Sequence, residues 1–203
     1  MTTHIPLSLR RKIVIALDIN TLVPASVTAS EAEASERAEN RLLSFKTVAW
    51  AKANLIREQQ DHVFLVTTME APGALDGKTI SAMWNSMMGD TDQHVDVRAE
   101  AEAALQRLSQ ALYNVGVSAT TEVLQGNAAE AVSVYVHEHR GEILVVQAPE
   151  RGMLAMTYSW AELCAQMSAC PTVMVKKTDL PENIAVALDP PLPTATTEET
   201  AEE

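Results

Sequence analysis

Aromatic residues are scarce in this chain: Trp, Tyr and Phe make up 4% of 203 residues, and only two cysteines occur. Two cysteines cannot build a disulfide framework, so Cys164 and Cys170, in or beside an apolar helical stretch, read as small core residues rather than a redox pair. Long apolar runs are missing too. None approaches the roughly 20 residues of a membrane span, and the opening Met-Thr-Thr-His leads into no hydrophobic signal core, so the expected address is cytoplasmic, without a membrane. Basic clusters are equally sparse. Arg10, Arg11 and Lys12 form the only basic run against 27 acidic residues, which excludes nucleic acid as the expected partner. His137 and His139 stand two apart with no other ligand cluster near them in sequence, so no metal site is expected. A Gly-x4-Gly-Lys-[S/T] loop is lacking as well, which weighs against a P-loop NTPase.

What is present is a hydrophobic fraction of 47% in 22.0 kDa, enough to bury a proper core in one domain with extensions. The net charge of -12 is unevenly spread. Residues 178–203 carry seven acids and no base, so this tail supplies more than half of the excess. The expected organisation is a loose arm over residues 1–9, a domain over 10–177 and the acidic tail. Within the domain, 19–40 and 69–94 read as insertions or long connections. In the tail, residues 183–189 (Asn-Ile-Ala-Val-Ala-Leu-Asp) echo Lys12 to Asp18 and can add a strand to a sheet edge.

Periodicity predicts alternating strands and helices. Apolar, β-branched runs at 142–146 and 172–176 fit buried strands in a parallel sheet, and further strands are predicted at 11–18, at 62–68 and over the extended run 119–124. Helices are predicted at 41–60 with a solvated extension before it, at 95–116 ending on Gly116, at 127–140 and at 159–167. Asn127 with Glu130 has capping-box spacing, and Ser159 can open the last helix. Between the second strand and the second helix, Ile80, Met83, Trp84, Met87 and Met88 repeat at helical spacing. This methionine-rich face either packs on the sheet or, if exposed, binds a protein partner. The fold class expected is α/β, a five-stranded, mainly parallel open sheet with helices on both faces. In such sheets ligands sit beyond the carboxyl ends of the strands, so Asp18, Thr68, Gly126, the loop from Gln147 to Gly152 and Ser159 fall on one rim.

The stretch Lys12-Ile-Val-Ile-Ala-Leu-Asp18, the helix around residues 44–51, Gly116-Val117, Val123-Leu-Gln-Gly126 with 128–132, and Ser159 eleven residues before Cys170-Pro171 together resemble the universal stress protein family. The resemblance covers roughly residues 10–177. It implies an adenine nucleotide alpha hydrolase-like fold, ATP as the cofactor to consider, and a nucleotide site at Asp18, Thr68, Gly126, Gly152 and Ser159. It also implies a homodimer through the last strand, residues 172–176, from Thr172 to Lys176.

ATP-binding members carry G-x2-G-x9-G-[S/T] after the fourth strand, because phosphate must approach bare backbone N–H groups. Here Gln147 stands at the first glycine, Tyr158 at the third, and the loop is two residues shorter; Gly152 alone survives. A side chain at those places obstructs a triphosphate cradle. The function expected is therefore a non-enzymatic stress or signalling domain with weak, altered or lost nucleotide binding. The alternative is a slow nucleotide hydrolase at the same rim, with Asp18 and Glu150 holding a metal and Arg151 touching phosphate.

Overall fold

The computed structural model describes residues 5–19, 22, 31–69, 92–148 and 159–179, with the side chains of 31–42 and 92–96 outside that description. The elements run β1 (Arg11–Leu17), α1 (Glu31–Asn54), β2 (Asp61–Met69), α2 (Asp92–Asn114), β3 (Ser118–Gln125), α3 (Ala128–Glu138), β4 (Ile143–Gln147), α4 (Trp160–Met167) and β5 (Thr172–Val175). Short 3-10 turns lie at Leu7–Leu9 and Lys177–Asp179. The strands form one sheet in the order β3-β2-β1-β4-β5, every neighbouring pair parallel. The sheet is thus wholly rather than mainly parallel.

Uninterrupted apolar strands follow from covering on both faces. On one side Ile13, Ile15, Leu17, Val63, Leu65 and Val145 pack with Val48, Leu105, Leu108 and Leu112 of α1 and α2. On the other, Val14, Ala16, Phe64, Val66, Leu144 and Val146 meet Val132, Tyr135 and Val136 of α3 and Ala161 and Cys164 of α4. Alternate residues of each strand therefore serve opposite layers, which is why no polar periodicity shows in β1.

Gly116 ends the turn after α2 at φ 78°, in the left-handed region that favours glycine. The first helix departs from expectation at its end. It stops at Asn54, short of residue 60, although Leu55 and Ile56 continue the apolar rhythm. Both of their N–H groups turn back to the Ala51 carbonyl, at 2.8 and 2.9 Å, and Ile56 is buried. Asp61 is the physical reason, since its carboxylate accepts the Arg57 N–H at 2.7 Å and ties the following segment into a turn. That carboxylate also pairs with Arg11 opposite it in register, so β2 begins at Asp61, one residue before the run at 62–68.

Candidate functional site

The strand order reverses direction between β1 and β4, and a parallel sheet opens a ligand crevice at such a switch point. The pairing registers locate the opening. The β1–β4 pairing ends at Ala16 with Val146, whereas β1–β2 continues to Leu17 with Thr67 and β4–β5 to Gln147 with Val175. Leu17 and Gln147 are thus the first residues past the parting of the two central strands. Asp18 follows directly, half-buried.

Each rim residue is set by a local device. Thr67 is buried and its hydroxyl donates to the Leu17 carbonyl at 2.8 Å, locking the ends of β1 and β2 together. Thr68, the residue singled out in the sequence, is half-buried one position further on. Gly126 has φ 118°, strained for any side chain, and its N–H donates to the Met69 carbonyl at 2.9 Å. It reverses the chain into α3, whose first turn is capped by Asn127 Oδ1 accepting from the Ala129 and Glu130 N–H groups. Ser159 heads α4 in a full capping box. Its hydroxyl oxygen accepts the Glu162 N–H at 3.2 Å, while Glu162 Oε2 accepts the Ser159 N–H at 3.0 Å and lies 3.3 Å from its hydroxyl.

At the end of β4, Gln147 is half-buried, with its amide oxygen Oε1 buried and without a hydrogen-bond partner among the described residues. The next residue, Ala148, donates its N–H to the Val175 carbonyl at 2.8 Å and holds β5 alongside. Gly152, Glu150, Arg151 and Tyr158 lie outside the described residues, as do Ile80, Met83, Trp84, Met87 and Met88 and the segment 183–189.

A second concavity was not anticipated from sequence. It is a groove of about 440 Å³ running from Gly126 and Asn127 down the side of α3 to Glu138 and His139, with Glu122 and Leu124 of β3 as its other wall. Three of its lining side chains, Glu122, Glu130 and Glu138, are carboxylates, a wall that repels phosphate. At its foot Tyr135 and His139 stack at 3.9 Å, and Phe64 meets both rings. Burial, and then Glu122, raise the Tyr135 hydroxyl well above its usual range, so it is a donor and not a base. Strand alternation could not have revealed this groove, because it depends on α3 leaving the outer strand uncovered.

Among the described residues no group of three or more His, Cys, Asp or Glu side chains could hold a metal ion. Burial alone pushes the Cys164 thiol up to about 12, so it is not a thiolate nucleophile. No helix among the described residues is long and apolar enough to cross a membrane.

No protein-family model and no curated protein matches the chain. Solved structures do. Hypothetical protein MJ0577 matches with a TM-score of 0.53 at 13% identity, over 83% of this chain and 97% of that one. Hypothetical protein PH0823 matches with a TM-score of 0.51 at 15% identity, over 85% and 99%. A universal stress protein family protein from Arabidopsis thaliana with AMP bound is similar at 15% identity and a TM-score of 0.48, over 86% and 98%. At such identities the likeness is one of fold. The five parallel strands, their order and the helices on both faces give this chain an open, doubly covered α/β fold, which it shares with MJ0577 and PH0823.

Proposed function

We propose that this chain is a non-enzymatic, universal-stress-protein-like binding domain, paired with a second copy through β5, whose rim takes adenine nucleotides in a weak or altered way. The ligand would lie in the crevice between β1 and β4, against Asp18, Thr68, Gly126 and Ser159, with Gly152 on the loop between. One observation carries the reading. Gln147, a residue with a side chain, stands at the first position past the last β1–β4 pair, where a phosphate cradle needs bare backbone.

The head of α4 supports the same conclusion. The Ser159 hydroxyl is engaged by Glu162, and the Glu162 carboxylate occupies the helix end whose dipole would otherwise favour an anion. Phosphoryl transfer requires positive charge on the developing oxyanions; a neutral amide and a carboxylate there favour binding over turnover. The segment with Ile80, Met83, Trp84, Met87 and Met88 is the part we assign to a protein partner.

Calorimetric titration with ATP, ADP and AMP, with and without Mg2+, tests the proposal. Dissociation constants weaker than about 0.1 mM for ATP, under about 5.5 kcal/mol of binding free energy, are expected. A micromolar ATP isotherm overturns it. Phosphate release that requires Mg2+ and vanishes in Asp18→Ala would establish the hydrolase instead.

A further inference from the structure

A buried acceptor without a donor is uncommon in a folded protein, because desolvating a carbonyl oxygen without replacing its water hydrogen bond is unfavourable. Gln147 Oε1 is such an acceptor, and its position is particular. It belongs to the residue at which β1 parts from β4, on the strand that continues to pair with β5 on its other side. On β1, the backbone carbonyl of Leu17 at the same parting already accepts from the Thr67 hydroxyl. At the parting of the two strands, then, β1 ends on a satisfied backbone carbonyl, and β4 ends on a buried side-chain acceptor that no described residue serves.

We propose that Gln147 is the ligand-selecting residue of this crevice, its amide oxygen accepting a hydrogen bond from an uncharged donor on the ligand, so that the site prefers a nucleoside to a nucleotide polyphosphate. The inference rests on the nucleotide-fold reading above and specifies its ligand. The chemistry is a matter of sign. An amide oxygen and an ionised phosphate oxygen are both acceptors, and placed together they repel. A ribose hydroxyl or an exocyclic ring amine supplies the missing proton. A site with a buried acceptor rejects a ligand that lacks the matching donor, because binding it leaves the acceptor unpaired. Bare backbone N–H groups at this position would choose phosphate; a glutamine oxygen reverses that choice.

The test is a ligand series titrated calorimetrically onto the full chain: adenosine, 2′-deoxyadenosine, purine riboside, ATP and inorganic tripolyphosphate. Adenosine is expected to bind at least as tightly as ATP, and tripolyphosphate not to bind. Loss of roughly tenfold in affinity for either purine riboside or 2′-deoxyadenosine identifies the donor as the ring amine or the sugar hydroxyl, the magnitude of one unmatched buried hydrogen bond. In Gln147→Leu the preference for the donor-bearing ligand should collapse to within about twofold, with the thermal unfolding midpoint recorded to show that the variant is folded. The ranking on the unmodified chain stands without any variant. Adenosine binding that is the same in Gln147→Leu overturns this inference alone. Tripolyphosphate or ATP binding more tightly than adenosine overturns it as well, by showing that the amide presents its N–H2 to phosphate. No binding by any member of the series removes the nucleotide-fold reading and this inference together.

Discussion

Asp61 gathers three hydrogen-bond donors. Its side chain is 1% exposed and accepts from Arg11 Nε at 2.9 Å, Arg11 Nη2 at 2.6 Å and the Arg57 N–H at 2.7 Å. Arg11 in turn donates to the Leu55 carbonyl at 2.6 Å, and the hydrogen bond to Asp61 is the main cause that raises its pKa. A forked guanidinium on a carboxylate is the strong geometry for such a pair. Asp61→Ala would leave the Arg57 N–H without its acceptor, and the Arg11 guanidinium with only the Leu55 carbonyl, at the seam joining α1, β1 and β2. Breaking a buried pair from one side costs about 3–5 kcal/mol, and because Arg11 is 28% exposed and can rehydrate, the lower figure is expected here. Urea denaturation measures it directly. A loss under about 1 kcal/mol would place this pair with ordinary surface pairs and remove it as the reason β2 starts where it does.

At the scale of elements, α3 offers the cleanest test of what its sequence encodes. Asn127 Oδ1 accepts from two backbone N–H groups that the helix itself cannot satisfy. Asn127→Ala should lower stability by about 1 kcal/mol, read as a shift in the denaturant midpoint with an unchanged slope. An unchanged midpoint would mean that water serves those groups equally well. This helix was legible because capping is local: the Asn127 and Glu130 spacing, the glycine before it and the apolar face after it lie within a dozen residues. The central strands β1 and β4 were legible for a related reason, since covering on both faces leaves an unbroken apolar run. Ser159 as the head of α4 was legible as a residue able to open a helix, and the structure adds its capping box with Glu162.

The misplaced end of α1 has the opposite cause. Leu55 and Ile56 keep the helical rhythm, and Asp61, which accepts the Arg57 N–H and is held by Arg11, 50 residues away, turns the chain out of it. At the rim, sequence marked Gln147 as an obstruction by comparison with a motif. It could not show that the amide oxygen would be left without a donor, because that depends on where β1 and β4 stop pairing. The groove beside Tyr135 was hidden because it depends on how α3 sits beside β3.

The whole molecule carries a net charge of -12, and among the described residues its sheet ends on β5, a strand of four residues. The β4–β5 ladder decides which of its backbone groups are available to a second copy. Leu144 donates to the Pro171 carbonyl and Ala148 to the Val175 carbonyl, so by alternation residues 171, 173 and 175 face β4 while Thr172 and Met174 turn their backbone groups outward. The Met174 side chain is 42% exposed on that edge. Proline is tolerated in a strand where the N–H it removes points away from the ladder. Met174→Pro therefore leaves the β4–β5 ladder intact and deletes an outward donor, which separates pairing between copies from folding of each one.

If the proposed dimer pairs through this edge, sedimentation equilibrium should find the unmodified chain dimeric and Met174→Pro monomeric at the same concentration. Their far-ultraviolet spectra should match. Because both partners are strongly acidic, the dimer should also tighten as salt shortens the screening length from about 8 Å at 0.15 M to about 3 Å at 1 M. A variant that stays dimeric moves the interface off β5, and a dimer that loosens with salt means that opposite charges, rather than backbone and Met174, hold it.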